Sequence, residues 1–181
     1  MTPKALAASV SLLVLLSALP ARSAEPSAAF LAASASFTRA TTGDSAATEQ
    51  ALKAFEALAA AESPEAPLYQ AYVGAAQTLQ GREAWMPWTK MKATERGLDT
   101  LDKALRRLES RHDAVVLGSV PVSLETRLVA ANTFVSVPDA IFHRADAGRR
   151  LLQELVAHPL FAQTPPEFRS RVEKLAASSR K

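Results

Sequence analysis

"PWTKMKATERGLDTLDKALRRLES", residues 87–110, decides the fold. Met91, Leu98 and Leu105 stand seven residues apart, and so do Thr94, Leu101 and Leu108. On a helix of 3.6 residues per turn these two rows merge into one apolar stripe. The opposite side carries Lys92, Arg96, Asp99, Asp102, Lys103 and Arg106. Asp99 with Lys103, and Asp102 with Arg106, are acid-first pairs four apart, each adding only about 0.2–0.5 kcal/mol. The stripe therefore outweighs the surface charges. It predicts a helix from near Pro87 to about Ser110 that must pack on other helices.

The helical pattern continues on both sides. Alanine, the strongest helix former, is the commonest residue, only 6 residues of 181 are glycine, and no run alternates apolar and polar residues over a strand's length. Upstream, helices are predicted over roughly 27–39 and, after the "TTGD" break, over 45–61; Ser63-Pro64 opens a third before "EAPLYQAYVGAAQTLQ". Downstream, Ser123 is placed to cap "LETRLVAANTFV", whose Leu124, Leu128, Ala131 and Val135 share a face, and Asp146 to cap "AGRRLLQELVA". In "TPPEF", Thr164 as N-cap, Pro165 at the first helical position and Glu167 at the third compose a capping box. Phe168, Val172 and Leu175 mark the buried side of that last helix, at about 165–178. Arg127 borders the apolar face of its helix, either reaching Asp99 or Asp102 on the long helix or lying exposed over a buried stem. The sum is an all-α protein of six to seven antiparallel helices.

Small residues recur at a fixed interval beneath these helices. Ala51, Phe55 and Leu58 precede Pro64; Gly97, Leu101 and Ala104 repeat the four-then-three spacing; Ala147 and Leu151 begin it again, with Pro159 twelve beyond Ala147. Val73-Gly74 stands before the middle set. The pattern resembles the tetratricopeptide repeat (TPR), in which small–aromatic–small residues mark the second helix of a pair, a proline ends it, and Leu-Gly marks the next first helix. The resemblance covers most of residues 45–160. It departs from the motif at Gln70 (tryptophan), Gln77 (tyrosine) and Glu154 (a small residue), and residues 81–92 lengthen the middle pair. The run "EAWMPWTKMKATERGLDTLDKAL" is also similar to a stretch of small bacterial TPR-like proteins. What the resemblance implies is a short α-solenoid of stacked helical hairpins, ended by the capping helix at 165–178.

The chain opens "MTPKALAASVSLLVLLSALPARSAEP". A positive start, an apolar run from Ala5 to Leu19, Pro20 and the small residues of Ala21-Arg22-Ser23 have the layout of a secretory signal. The run is shorter than the roughly 20 residues that span a bilayer. Cleavage is expected after Ser23, leaving residues 24–181 as a single helical domain, periplasmic or secreted, without stable membrane insertion. The 21 Lys+Arg against 18 Asp+Glu become 19 against 18 once Lys4 and Arg22 are removed. Near-balanced, interspersed charge gives no basis for a nucleic-acid partner. With 0 cysteines, disulfides, cysteine zinc or redox sites and a lipoprotein anchor are all excluded.

"EAWMPWTKMK", residues 83–92, holds both tryptophans. Trp85 just before a helix and Trp88 in its first turn can close over the helix end as a hydrophobic staple, in which case loss to alanine costs about 3–5 kcal/mol. Alternatively Trp85 and Trp88, with Lys90 and Lys92, form a stacking and cation–π platform for a peptide or sugar. Packing is the expectation; the four residues are the candidate partner-binding set. Histidines 112, 143 and 158 are scattered, and His143 with Asp146 makes at most half a metal site. No G-x-S-x-G, P-loop or H-E-x-x-H occurs. The expected function is that of a non-enzymatic helical-repeat module, without cofactor or metal, binding a protein or peptide in its concave face. The alternative is a small-ligand carrier with a pocket near Trp85 and Trp88.

Overall fold

The computed structural model describes residues 22–180, so all but the last two residues of the expected signal segment lie outside the described residues. Eight α-helices form among them: α1 (Ala28–Thr41), α2 (Ser45–Ala60), α3 (Ala66–Glu83), α4 (Pro87–Arg106), α5 (Val122–Ser136), α6 (Asp139–Phe142), α7 (Ala145–Ala157) and α8 (Pro166–Ser178). The protein is all-α, as its composition predicts. Helices α1 to α4 run as successive hairpins, each packed on the next; α5 lies across α3 and α4, α7 packs on α5, and α8 on α7. No described helix is long and apolar enough to cross a membrane.

A very small sheet accompanies the helices. Strand β1 (Arg22–Ala24) pairs in parallel with β2 (Val115–Leu117), which pairs antiparallel with β3 (Val120–Pro121). Strands of two or three residues are too short to carry an alternating pattern, so periodicity does not disclose them. The β2–β3 turn depends on Gly118, whose φ of 65° is a left-handed conformation open to glycine at no steric cost.

Two helix starts are capped as sequence suggests for polar residues: Ser27 accepts from the Phe30 N–H at 3.1 Å and Asp44 from the Ala47 N–H at 3.0 Å. Three predicted caps are replaced. Pro121 enters α5 directly, so Ser123 falls inside the first turn and its hydroxyl donates to the Asp113 carboxylate. At α7, Asp139 reaches forward to accept from the Ala145 N–H at 2.8 Å, while Asp146 pairs with Arg149. At α8, Pro165 is the cap residue, because a 3-10 turn over Phe161–Gln163 draws the Thr164 hydroxyl back to the Phe161 carbonyl.

The long helix ends at Arg106, four residues short of the expectation, because Ser110–Asp113 tighten into a 3-10 turn. Thr94, Leu98 and Leu101 are buried as the stripe requires, together with Gly97 and Ala104; Leu105 and Leu108 are half-buried and Met91 is exposed. The two predicted intrahelical ion pairs give way to a tertiary one: Asp102 binds Arg144, whose guanidinium lies 4.6 Å over the Phe134 ring. Arg127 reaches neither Asp99 nor Asp102; it donates to the Ser123 carbonyl of its own helix at 3.0 Å.

Glycine decides how α3 meets α4. A Cβ on Gly74 would lie 2.7 Å from the Gly97 carbonyl oxygen and 2.9 Å from the Leu101 nitrogen; one on Gly97 would lie 2.5 Å from the Gly74 carbonyl oxygen. The helices thus touch backbone to backbone. Overpacking costs about 1–3 kcal/mol or more, against about 1 kcal/mol of helix propensity gained from Gly to Ala. Gly97→Ala should therefore lower the urea midpoint despite its better propensity, and Gly74→Ala likewise, with stability losses of about 1–2 kcal/mol each.

Candidate functional site

Helices α1, α3 and α5 leave an open groove between them. Near one end α8 forms a wall, giving a basin of about 650 Å³ lined by Ser34, Tyr72, Glu125, Leu128, Arg171 and Lys174 among others. Toward the other end, α4 and α6 wall a basin of about 500 Å³ lined by Leu79, Arg82, Lys90, Met91, Ile141 and Phe142 among others. The two basins share Phe37, Thr41, Ala75, Asn132 and Thr133, so they form one continuous channel. Each basin by itself falls within the range of about 300–1,000 Å³ usual for ligand sites.

The floor is apolar and rigid. Five aromatic rings from α1, α2 and α3 lock beneath it: Phe55 stacks on Tyr72 at 4.5 Å with planes 8° apart, and Phe37 meets Tyr72 edge-on at 5.2 Å. Phe30 joins Phe55 at 6.2 Å and Tyr69 at 5.7 Å. Ala75, small and buried, leaves the space above it open.

One polar node ties the α8 wall to that floor. Glu125 of α5 accepts from both Arg171 guanidinium nitrogens, at 3.0 and 3.3 Å, and from the Tyr72 hydroxyl at 3.3 Å. Arg171 also lies 5.4 Å over the Phe168 ring. Burial pushes the Tyr72 phenol above its ordinary value, the Glu125 charge adds to the rise, and Arg171 opposes it. Burial, then Glu65, raises Tyr69. Of the other polar groups, the Ser34 hydroxyl is shielded from water and has no partner among the described residues, while Arg82 donates to the Ala40 carbonyl at 2.9 Å.

The predicted site residues divide. Lys90 lines the groove; Trp85, Trp88 and Lys92 do not. The tryptophans form no staple: Trp85 is 93% and Trp88 66% exposed. Met86 caps α4 in an extended conformation with φ −85° and ψ 132°, as the residue before a proline prefers. The rings have nothing to close against, because the glycine contact with α3 fills the inner side of this helix. The groove residues on α1, α5 and α8 escape sequence reading, since each is a single polar side chain on an ordinary amphipathic helix.

Other polar groups stay apart from the groove. Asp113 receives the Ser123 hydroxyl and lies 3.6 Å from His158 Nε2. In a nucleophilic triad the imidazole stands between hydroxyl and carboxylate; here the carboxylate stands in the middle and Ser123 is fully buried. The trio ties the 3-10 turn to α5 and to the end of α7. His143 occupies a left-handed position, φ 52°, ending α6, and His112 accepts from the Glu109 N–H at 2.9 Å. No group of three His, Cys, Asp or Glu residues suited to a metal occurs among the described residues.

Exposed indoles should emit at long wavelength and be quenched freely by iodide. Trp85→Ala and Trp88→Ala should each shift stability by no more than about 0.5 kcal/mol, measured by urea unfolding. A phenol raised in the folded state keeps its stabilising contribution below the unfolded value of about 10 and loses it as pH climbs through the folded value. Stability should therefore fall as pH rises above about 10, and Tyr72→Phe should flatten that decline in unfolding midpoints measured across alkaline pH. Comparison of the chain with protein-family models, with curated proteins and with solved structures finds no match.

Proposed function

We propose that this is an exported, non-enzymatic helical-hairpin module of TPR-like kind that holds a segment of a partner polypeptide in the groove between α1, α3 and α5. The observation carrying this reading is the groove's make-up: an apolar floor beside two polar groups without a partner among the described residues, the buried Ser34 hydroxyl and the exposed Asn132 carboxamide, while the Thr38, Thr41 and Ser136 hydroxyls donate to carbonyls of their own helices. A polypeptide presents an N–H and a C=O at nearly every residue and can satisfy such groups. An acyl chain would leave the Asn132 carboxamide desolvated and unpaired, which costs about 1–3 kcal/mol. The TPR-like spacing supports a scaffold role. Ala51, Phe55, Gly97, Leu101 and Ala104 are buried at their helix contacts, whereas in α7 Ala147 and Leu151 are half-buried and Gly148 makes the close approach.

Export rests on the leader's layout. Cleavage after Ser23 would leave Ala24 as the first residue and take Arg22 and Ser23 from the β1–β2 ladder. N-terminal sequencing of the protein recovered outside the cytoplasm should begin at Ala24; an unprocessed cytoplasmic product overturns export.

Asn132→Trp tests the groove, because Asn132 is exposed and stands where the two basins join. A partner retained from extracytoplasmic extract by the unaltered protein should be lost from the variant, with its helical circular dichroism intact. Equal retention by both proteins sinks this reading.

A further inference from the structure

We infer that the segment held in the groove is acidic: an apolar stretch of polypeptide carrying Asp or Glu side chains. The inference rests on the reading of the groove as a polypeptide site and adds the chemistry of what fills it.

The charge of the lining carries it. Arg82, Lys90, Arg171 and Lys174 line the channel against a single acid, Glu125. Elsewhere the chain is close to balance, with 21 basic and 18 acidic residues overall. Glu125 is moreover spoken for, since its oxygens already accept from Arg171 and Tyr72. Among the described residues Arg82, Lys90 and Lys174 have no carboxylate within ion-pair distance. The cations without a carboxylate partner sit toward both ends, with Lys174 on the α8 wall and Lys90 near Arg82, which also donates to the Ala40 carbonyl, beside α4.

Each exposed ion pair is weak by itself. A cleft lined by one sign of charge nevertheless focuses the field, speeds the approach of an opposite charge and repels like charge. The apolar floor would set the affinity, and the lysines would set which sequences enter. Carboxylates spaced to reach both ends, with apolar side chains between them over Phe37 and Ala75, match this arrangement.

A displayed library of random short peptides, selected on the immobilised full chain, tests the inference. Selected sequences should be enriched in Asp and Glu alongside apolar residues. A synthetic peptide of the commonest selected sequence should bind about tenfold more weakly to the Lys90→Glu/Lys174→Glu double variant and weaken steeply with added salt. Both lysines are exposed, so the variant should keep its unfolding midpoint. Selection of neutral or basic sequences that still lose binding on Asn132→Trp overturns the acidic preference and leaves the groove standing. Selected peptides indifferent to Asn132→Trp, or no enrichment at all, overturn the groove itself and the inference with it.

Discussion

Two helices of this protein touch through their backbones, and the remainder is arranged around that contact. With Gly74 and Gly97 facing each other, α4 is drawn so close to α3 that neither can rotate or slide without a carbonyl oxygen striking the opposing chain. Gly81 extends the same seam: a Cβ there would lie 2.9 Å from the Lys90 carbonyl oxygen. Helix α3 is in consequence buried on nearly all sides, with α2, α4 and α5 packed around it. Its buried Gln77 and Thr78 are paired: the Gln77 carboxamide oxygen accepts from the Thr100 hydroxyl at 2.9 Å, and the Thr78 hydroxyl donates to the Ala75 carbonyl at 2.7 Å. Small residues on α3 serve two ends. Glycines bring α4 in, and Ala75, a single methyl, lines the channel where its two basins meet.

Tyr72 joins that packing to the groove. Its ring stacks on Phe55 of α2, and its hydroxyl reaches Glu125 of α5, which in turn holds Arg171 of α8. One side chain of α3 therefore meets α1 and α2 through ring packing and α5 through a hydrogen bond, and is tied to α8 by way of the Glu125–Arg171 ion pair. The Glu125 side chain is 13% exposed, so these partners replace most of the water around its carboxylate. Removing a partner from a shielded charge costs more than the pair contributes by existing. The position of the α8 wall is thus coupled to the aromatic floor, although the two belong to helices far apart in the chain.

The helices themselves are readable in the sequence because their signals are local. Heptad rows along 87–110, the "TTGD" break and the prolines before α3, α4 and α8 all act within a turn or two. Helix α2, expected at 45–61, occupies Ser45–Ala60. Signals that require a neighbour are lost. Nothing local says that Asp102 will prefer Arg144, forty-two residues away, to Arg106 one turn on. The predicted caps differ for a related reason: Asp113 and Phe161, outside the helices, take the Ser123 and Thr164 hydroxyls, and Asp139 takes the Ala145 amide at the start of α7. For the site, only Lys90 among the four candidates reaches the groove, since the tryptophans are conspicuous in composition while the channel is built from ordinary residues on six helices.

The tryptophans still bear on the groove through their neighbours. Of the large apolar side chains exposed on the described surface, Trp85, Met86, Trp88 and Met91 cluster around the start of α4, and Ile141 of α6 lies across the groove mouth from Met91. Met91 and Ile141 belong both to this patch and to the channel lining, so the channel opens onto apolar surface at this end. At the other end it opens beside Arg171, Lys174 and Ser178, which are polar and exposed. A chain lying along the channel would therefore meet cations at both ends but exposed methionine and isoleucine at only one. The difference between the two ends gives the groove a direction, which a uniform apolar cleft of the same volume would lack.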